Sequence, residues 1–274
     1  VQEDCKKPQE KRELKDDQFS VILVAHIDDE PGRKKTRKLF SDINKYAKPV
    51  AEGDKIKIDE EDLCAIVTRR IYANLSYFKK GKLISLTETA KLDPNDDVYF
   101  TNLLALYRVN KKLRQLFKKT RGTDEWEEEN VSRFQKIVED FYGFAFKNIK
   151  EYKDYFIEKS LTLKTARKDS KYLLFRPVGL VLIARLYAHF RKINQFEVLK
   201  KNINKVRFVM PNSPYNKVLW DQGKMEAKIS SQTIAFNLTR YLLNEYPKGD
   251  VPNLLKKYRE ITKNDDAELP VKII

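Results

Sequence analysis

Residues 19–50, FSVILVAHIDDEPGRKKTRKLFSDINKYAKPV, decide how the chain is read. Phe19 and Val21 to Ala25 make a short apolar run rich in β-branched residues, with charge on either side, the pattern of a strand covered on both faces. Asp28, Asp29 and Glu30 then supply an N-cap and first-turn negative charge, and Pro31 suits a first helical position, so a helix is expected to begin here. Leu39, Phe40, Ile43 and Ala47 recur at helical spacing and predict one buried stripe. Arg33, Lys34, Lys35, Arg37, Lys38 and Lys45 occupy the rest of that helix's surface, and Pro49 ends it.

The whole chain has 274 residues, enough for one large domain or two smaller ones, and its 41% hydrophobic content suits a globular core. Lysine and arginine number 55 against 40 acidic residues, a net charge of +15 that makes an anionic partner, above all nucleic acid, the natural candidate. Net charge measures non-specific attraction and does not identify a sequence. Cys5 and Cys64 are too few for a disulfide framework or a cysteine metal site, so a reducing cytoplasm is expected, with Cys64 a small core residue. No apolar run is long enough to cross a bilayer.

Outward from the opening stretch, Val1 to Gln18 is a charged lead-in and Ala51 to Lys57 a polar connector. Asp59, Glu60, Glu61 and Asp62 open a helix with buried positions at Leu63, Ile66, Val67 and Ile71. A metal reading of Asp59 and Asp62 competes with capping, and a helix start explains both without a second ligand cluster. Lys82 to Thr89 alternates like a strand, and Thr101 is placed to cap a helix through Leu104, Leu106, Tyr107 and Leu113. Another helix follows from Asp124, with Phe134, Phe141 and Phe144 read as core and not as base-stacking platforms. The basic segment TLKTARKDSKYLLFRP, residues 162–177, is expected as a ligand-facing loop in which Lys164, Arg167, Lys168, Lys171 and Arg176 touch phosphates. Pro177 and Gly179 turn it into an apolar helix, with His189 near the helix end. Further helices are expected over Gln195 to Val206, from about Ser231, and after Pro252, and Trp220 is expected to pin its loop to the body.

The strand, acidic turn and helix, followed by LFSDINKYAKPV (39–50), resemble the DGQHR-domain, DndB-like family. GDKIKIDEEDLCAIVTRRI (53–71), YLLFRPVG (172–179) and KVLWDQGKM (217–225) are similar to later landmarks of that family. Its Asp-Gly-Gln-His-Arg signature is absent, and a chain opening on Val1 is expected to begin just after it. The family in turn resembles the ParB and sulfiredoxin-like nucleotide-binding fold. The resemblance therefore implies an α+β, predominantly helical chain: an incomplete ParB-like α/β lobe over residues 1–92 and a helical region over 93–274. It also implies ATP or another nucleotide with Mg2+ near Ser41, Asn44 and Lys48. Asn44 sits where that fold carries its asparagine; the basic residue expected three positions later is replaced by Ala47, with Lys48 beside it. No metal ligand set is implied within the chain.

The first functional reading is a cytoplasmic DNA-binding or regulatory component of a bacterial DNA-modification system of the phosphorothioation type. DNA and other modification proteins are its expected partners. Candidate nucleic-acid contacts are Arg33, Lys34, Arg37, Lys38, Arg69, Arg167 and Arg176. Thr68 and Arg69 match the family motif, while Arg70 points about 100° away around its helix. A ParB-like nucleotide hydrolase or DNA-processing enzyme and a protein-interaction scaffold are the alternative readings.

Overall fold

The structure, a computed structural model, describes residues 28–47, 52–87, 92–93, 95–169, 171–210, 212–221, 224–225 and 228–274. These residues are predominantly helical, with short paired strands, as the α+β expectation requires. The apolar run at Phe19 to Ala25, together with Lys48 and Pro49, lies outside the described residues.

Helix α1 (Glu30–Ala47) leads to α2 (Glu52–Ile58) and α3 (Leu63–Asn74). The expected connector at Ala51 to Lys57 thus carries a helix for most of its length. Burial of Gly53 and Ile56 favours it over the weak local propensity of EGDKIKI. Asp62 is the N-cap of α3, its side chain accepting from Cys64 N at 2.7 Å and Ala65 N at 3.2 Å. Its second carboxylate oxygen accepts the Tyr107 hydroxyl at 2.6 Å, which ties the cap to the next helix. Asp59 accepts from the backbone N–H groups of Glu61 and Asp62, each at 2.9 Å. The acidic run therefore turns and caps the chain.

The strand expected over Lys82 to Thr89 contracts, within the described residues, to β1 (Ile84–Ser85), parallel to β2 (Thr101–Asn102). Thr101 is committed to that pair, and Asn102 caps α4 (Leu103–Leu113) in its place, accepting from Ala105 N at 2.8 Å. Then come α5 (Glu128–Asn148), α6 (Lys150–Phe156), α7 (Pro177–Lys192) and α8 (Phe196–Asn202). An antiparallel pair, β3 (Trp220–Asp221) with β4 (Lys224–Met225), precedes α9 (Ile229–Leu242) and α10 (Val251–Thr262).

Helix α7 lies at the centre, buried from Gly179 through Ala184 and again at Leu186, Tyr187, Ala188 and Phe190, and packs on α4, α8 and α9. A helix apolar on nearly every side needs such a position. Beside it, Phe100 meets Phe156 edge to face at 4.8 Å and Phe146 at 5.8 Å, while Phe146 stacks on Phe156 at 3.8 Å. Phe134, Phe141 and Phe144 are core residues, as their spacing predicts, and Trp220 is half-buried against the same cluster. That cluster runs from Ile56 to Leu254, across the boundary expected near residue 92. Cys64 is buried in it, and desolvation pushes its thiol up to about 12, so it stays protonated at neutral pH. His189 occupies the last turn of α7, 2.9 Å from the Glu245 carboxylate.

Gly179 shows how tightly α7 is seated. A Cβ added there would lie 2.1 Å from the Leu173 carbonyl oxygen and 2.9 Å from Leu174 Cα, both main-chain atoms that cannot swing aside. Gly179→Ala is therefore expected to cost about 3 kcal/mol of stability by overpacking, read as a lower urea midpoint with an unchanged transition slope.

Candidate nucleic-acid interface

The basic face of α1 is largely neutralised by acids brought to it. Arg33 pairs with Asp28 at 3.1 Å, and Arg37 with Glu30 at 3.3 Å and Glu60 at 2.6 Å. Lys38 meets Glu61 at 2.5 Å. Glu60, whose side chain is only 8% exposed, also takes Arg69 at 3.0 Å. Arg69 in turn donates to the carbonyls of Ile56 and Asp59 at 2.7 and 2.8 Å, satisfying the C-terminal end of α2. Burial pulls the Arg69 guanidinium below its usual range, against the pull of Glu60. Arg70 forks onto Glu128 in a different direction at 2.6 and 2.8 Å, holding that carboxyl down at about 2.

Of the candidate DNA contacts on α1, Arg33, Lys34 and Lys38 are exposed, as is Lys35, with Arg33 and Lys38 ion-paired to Asp28 and Glu61. The apolar stripe expected on this helix is not buried: Leu39, Phe40 and Ile43 are 36%, 58% and 51% exposed. Ion pairs and the packing of α1 on α2 connect the helix to the body. Ser41 is half-buried on α1; Asn44 lies on the same helix, but its side chain, like Lys48, falls outside the described part. Among the described residues no three His, Cys, Asp or Glu side chains cluster as a metal site.

The basic segment 162–177 divides by residue type. Lys164, Lys168 and Lys171 are exposed, whereas Arg167 and Arg176 are buried, contrary to the expected ligand-facing loop. Arg167 donates to the carbonyls of Asp96 and Tyr99 at 2.6 Å, Phe100 at 2.7 Å and Phe175 at 3.0 Å. Arg176 donates to the Arg167 carbonyl at 3.1 Å. Burial, then the neighbouring Arg176 charge, brings the Arg167 guanidinium down to about 10, still protonated at neutral pH. These two side chains fasten loops to the core.

A basic groove appears elsewhere, between the segment 205–217 and the C-terminal residues, with a volume of about 530 Å³. Leu242, Tyr258 and Ile273 contribute apolar surface, and Lys205, Arg207 and Lys217 contribute charge, with no carboxylate among the described lining residues. Its walls are fixed. Ser213 Oγ donates to the Arg207 carbonyl at 2.9 Å, and Tyr215 stacks on Phe208 and bonds Thr239 at 2.8 Å. On the other side Ile273 N donates to the Leu242 carbonyl at 2.9 Å, and Arg259 Nε to the Ala267 carbonyl at 2.9 Å. Concave surface with convergent polar groups is the usual setting for ligand contact. Sequence reading missed this groove because its walls lie about fifty residues apart; the only local signal was the acid-free run KNINKVR, residues 201–207.

A protein-family model described as DndB, DNA-sulfur modification-associated, matches residues 4–245. No curated protein and no solved structure matches the chain. The groove straddles the end of the matched region: Lys205, Arg207 and Lys217 lie inside it, Tyr258 and Ile273 beyond it.

Two substitutions separate structural charge from surface charge. Arg167→Lys keeps the positive charge but cannot reach four carbonyls, and is expected to lose about 3 kcal/mol in urea unfolding. Glu60→Gln, which removes the carboxylate of Arg69 and one of the two that face Arg37, is expected to cost about 2 kcal/mol, whereas Lys38→Ala at a more exposed pair should leave the urea midpoint essentially unchanged.

Proposed function

The chain belongs to the DndB family of DNA-sulfur modification-associated proteins, and from that membership we propose that it acts in such a system as a DNA-binding or regulatory component, contacting duplex phosphates through the C-terminal basic groove. The observation that carries this reading is a lining that presents Lys205, Arg207 and Lys217 together with no carboxylate among its described residues. Elsewhere in the described chain many basic side chains are answered by carboxylates, as on α1. A net charge of +15 adds long-range attraction to the same polyanion.

Phosphate contact and base reading are separate tasks. Lysine and arginine on the duplex backbone release counterions and set affinity, while sequence preference needs contacts to base edges. The groove supports the first task. Binding is therefore proposed to be strongly salt-dependent, with the identity of the reader of the bases left to other surfaces or partners. The nucleotide reading attached to Ser41, Asn44 and Lys48 is a companion proposal: ATP with Mg2+ is bound near the end of α1, and Asn44→Ala abolishes that binding in an ATP titration.

Changing Lys205, Arg207 and Lys217 together to Gln is expected to lower duplex affinity by roughly 10- to 100-fold at moderate salt and to flatten the slope of log affinity against log salt by about 2.7. Changing Lys34 and Lys35 to Gln is the counter-test. If that pair carries the loss and the triple variant binds like the parent protein, the interface is α1 and not the groove.

A further inference from the structure

We propose that Arg185, together with Lys112, forms a binding site for a single phosphate group where α4, α7 and α9 meet. Lys112 stands in the last turn of α4, and Arg185 in the middle of α7. Both line one narrow cleft, whose other side is formed by Gln232 and Ala235 of α9. It shares no lining residue with the basic groove, and the proposal does not rest on that groove.

Arg185 is exceptional among the described residues. Every other described arginine that is buried or half-buried donates to a carbonyl or a carboxylate. Arg185 makes neither contact within the described chain; its guanidinium lies over the Phe236 ring, 4.0 Å from the centroid. Stacking fixes the plane of the group but leaves the five N–H donors at its edge to be satisfied from elsewhere. None of those nitrogens is sealed from solvent without a partner, so a ligand can approach them.

The surrounding charge has the wrong sign for a solitary cation. Burial and then the nearby Arg240 lower the Arg185 guanidinium, and burial followed by Arg185 and Arg108 lowers the Lys112 ammonium. Arg240 and Arg108 are already matched by Glu245 and Glu52, but Lys112 and Arg185 have no described carboxylate beside them. Two half-buried cations held near one another without an internal counter-ion are stabilised by an anion from outside. A phosphate fits best, because its tetrahedral oxygens accept the paired N–H edge of an oriented guanidinium and an ammonium at once. The cleft itself has about 10 Å³, room for about one water. The anion therefore sits at the mouth.

Such a phosphate belongs either to a nucleotide or to a DNA backbone, and the experiment distinguishes them. Thermal unfolding of the full chain is followed in inorganic phosphate and in chloride at equal ionic strength. At phosphate ten times its dissociation constant the midpoint should rise by about 3 °C. Arg185→Gln and Lys112→Gln should each abolish the rise, and Lys112→Gln, which removes a charge repelled by Arg185, should unfold in chloride no earlier than the parent. ATP and a short duplex are then titrated separately. Arg185→Gln should weaken whichever supplies the phosphate by about tenfold. Selective loss for ATP assigns a nucleotide, selective loss for the duplex assigns a backbone phosphate, and loss of the phosphate-dependent rise alone assigns the free ion. No rise with the parent protein, or an equal rise in both variants, overturns the site.

Discussion

A buried arginine without an acidic partner is the constraint on which much of this structure depends. Arg167 is 1% exposed, and its positive charge is answered by carbonyl dipoles from residues 96, 99, 100 and 175. Those oxygens belong to the loop that delivers β2 and α4 and to the turn that delivers α7. Those of Phe100 and Phe175 would be buried acceptors lacking this hydrogen bond if the guanidinium were absent, while the part-buried oxygens of Asp96 and Tyr99 would lose their tie to the core. The same group fixes Phe100, whose ring is surrounded by Phe146, Tyr152, Phe156 and Phe175. Hydrogen bonding thus sets the loop's position, and aromatic packing uses it.

Positive charge has two physical uses here. Where arginine is surrounded by carbonyls or by Glu60, it joins elements that lack an apolar contact of sufficient size, as between α1, the acidic turn and α3. Where lysine and arginine line a concave surface with no carboxylate among its described residues, their charge is left for a partner. A count of basic residues cannot tell these uses apart. Membership in the DndB family supplies the DNA-modification context, and the groove's geometry distinguishes residues available to a polyanion from those already committed to the fold.

Much of the helical order was legible in sequence. Helical spacing of apolar residues marked α3, α4, α5, α7 and α9, and Asp62 signalled its helix start. Pro177 stands in the first turn of α7, and Gly179 sits against a neighbouring main chain that leaves no space for a Cβ. The exposed stripe of α1 and the helix at Glu52–Ile58 departed from expectation for the same reason. An apolar period says which face would be buried, but it does not supply the surface that buries it, and two well-placed core contacts can order a short segment with weak propensity.

By itself, the sequence determined the helical class, the positive balance, the cap at Asp62 and the family landmarks, because each is written in neighbouring residues or in total composition. Only the tertiary structure decided that Arg167 and Arg176 turn inward, that Glu60 joins Arg37 to Arg69, and that Lys205, Arg207 and Lys217 face residues near the C-terminus across a groove. A side chain's charge is local, but the dipoles, counter-charges and solvent that determine its effect come from chain segments tens of residues away.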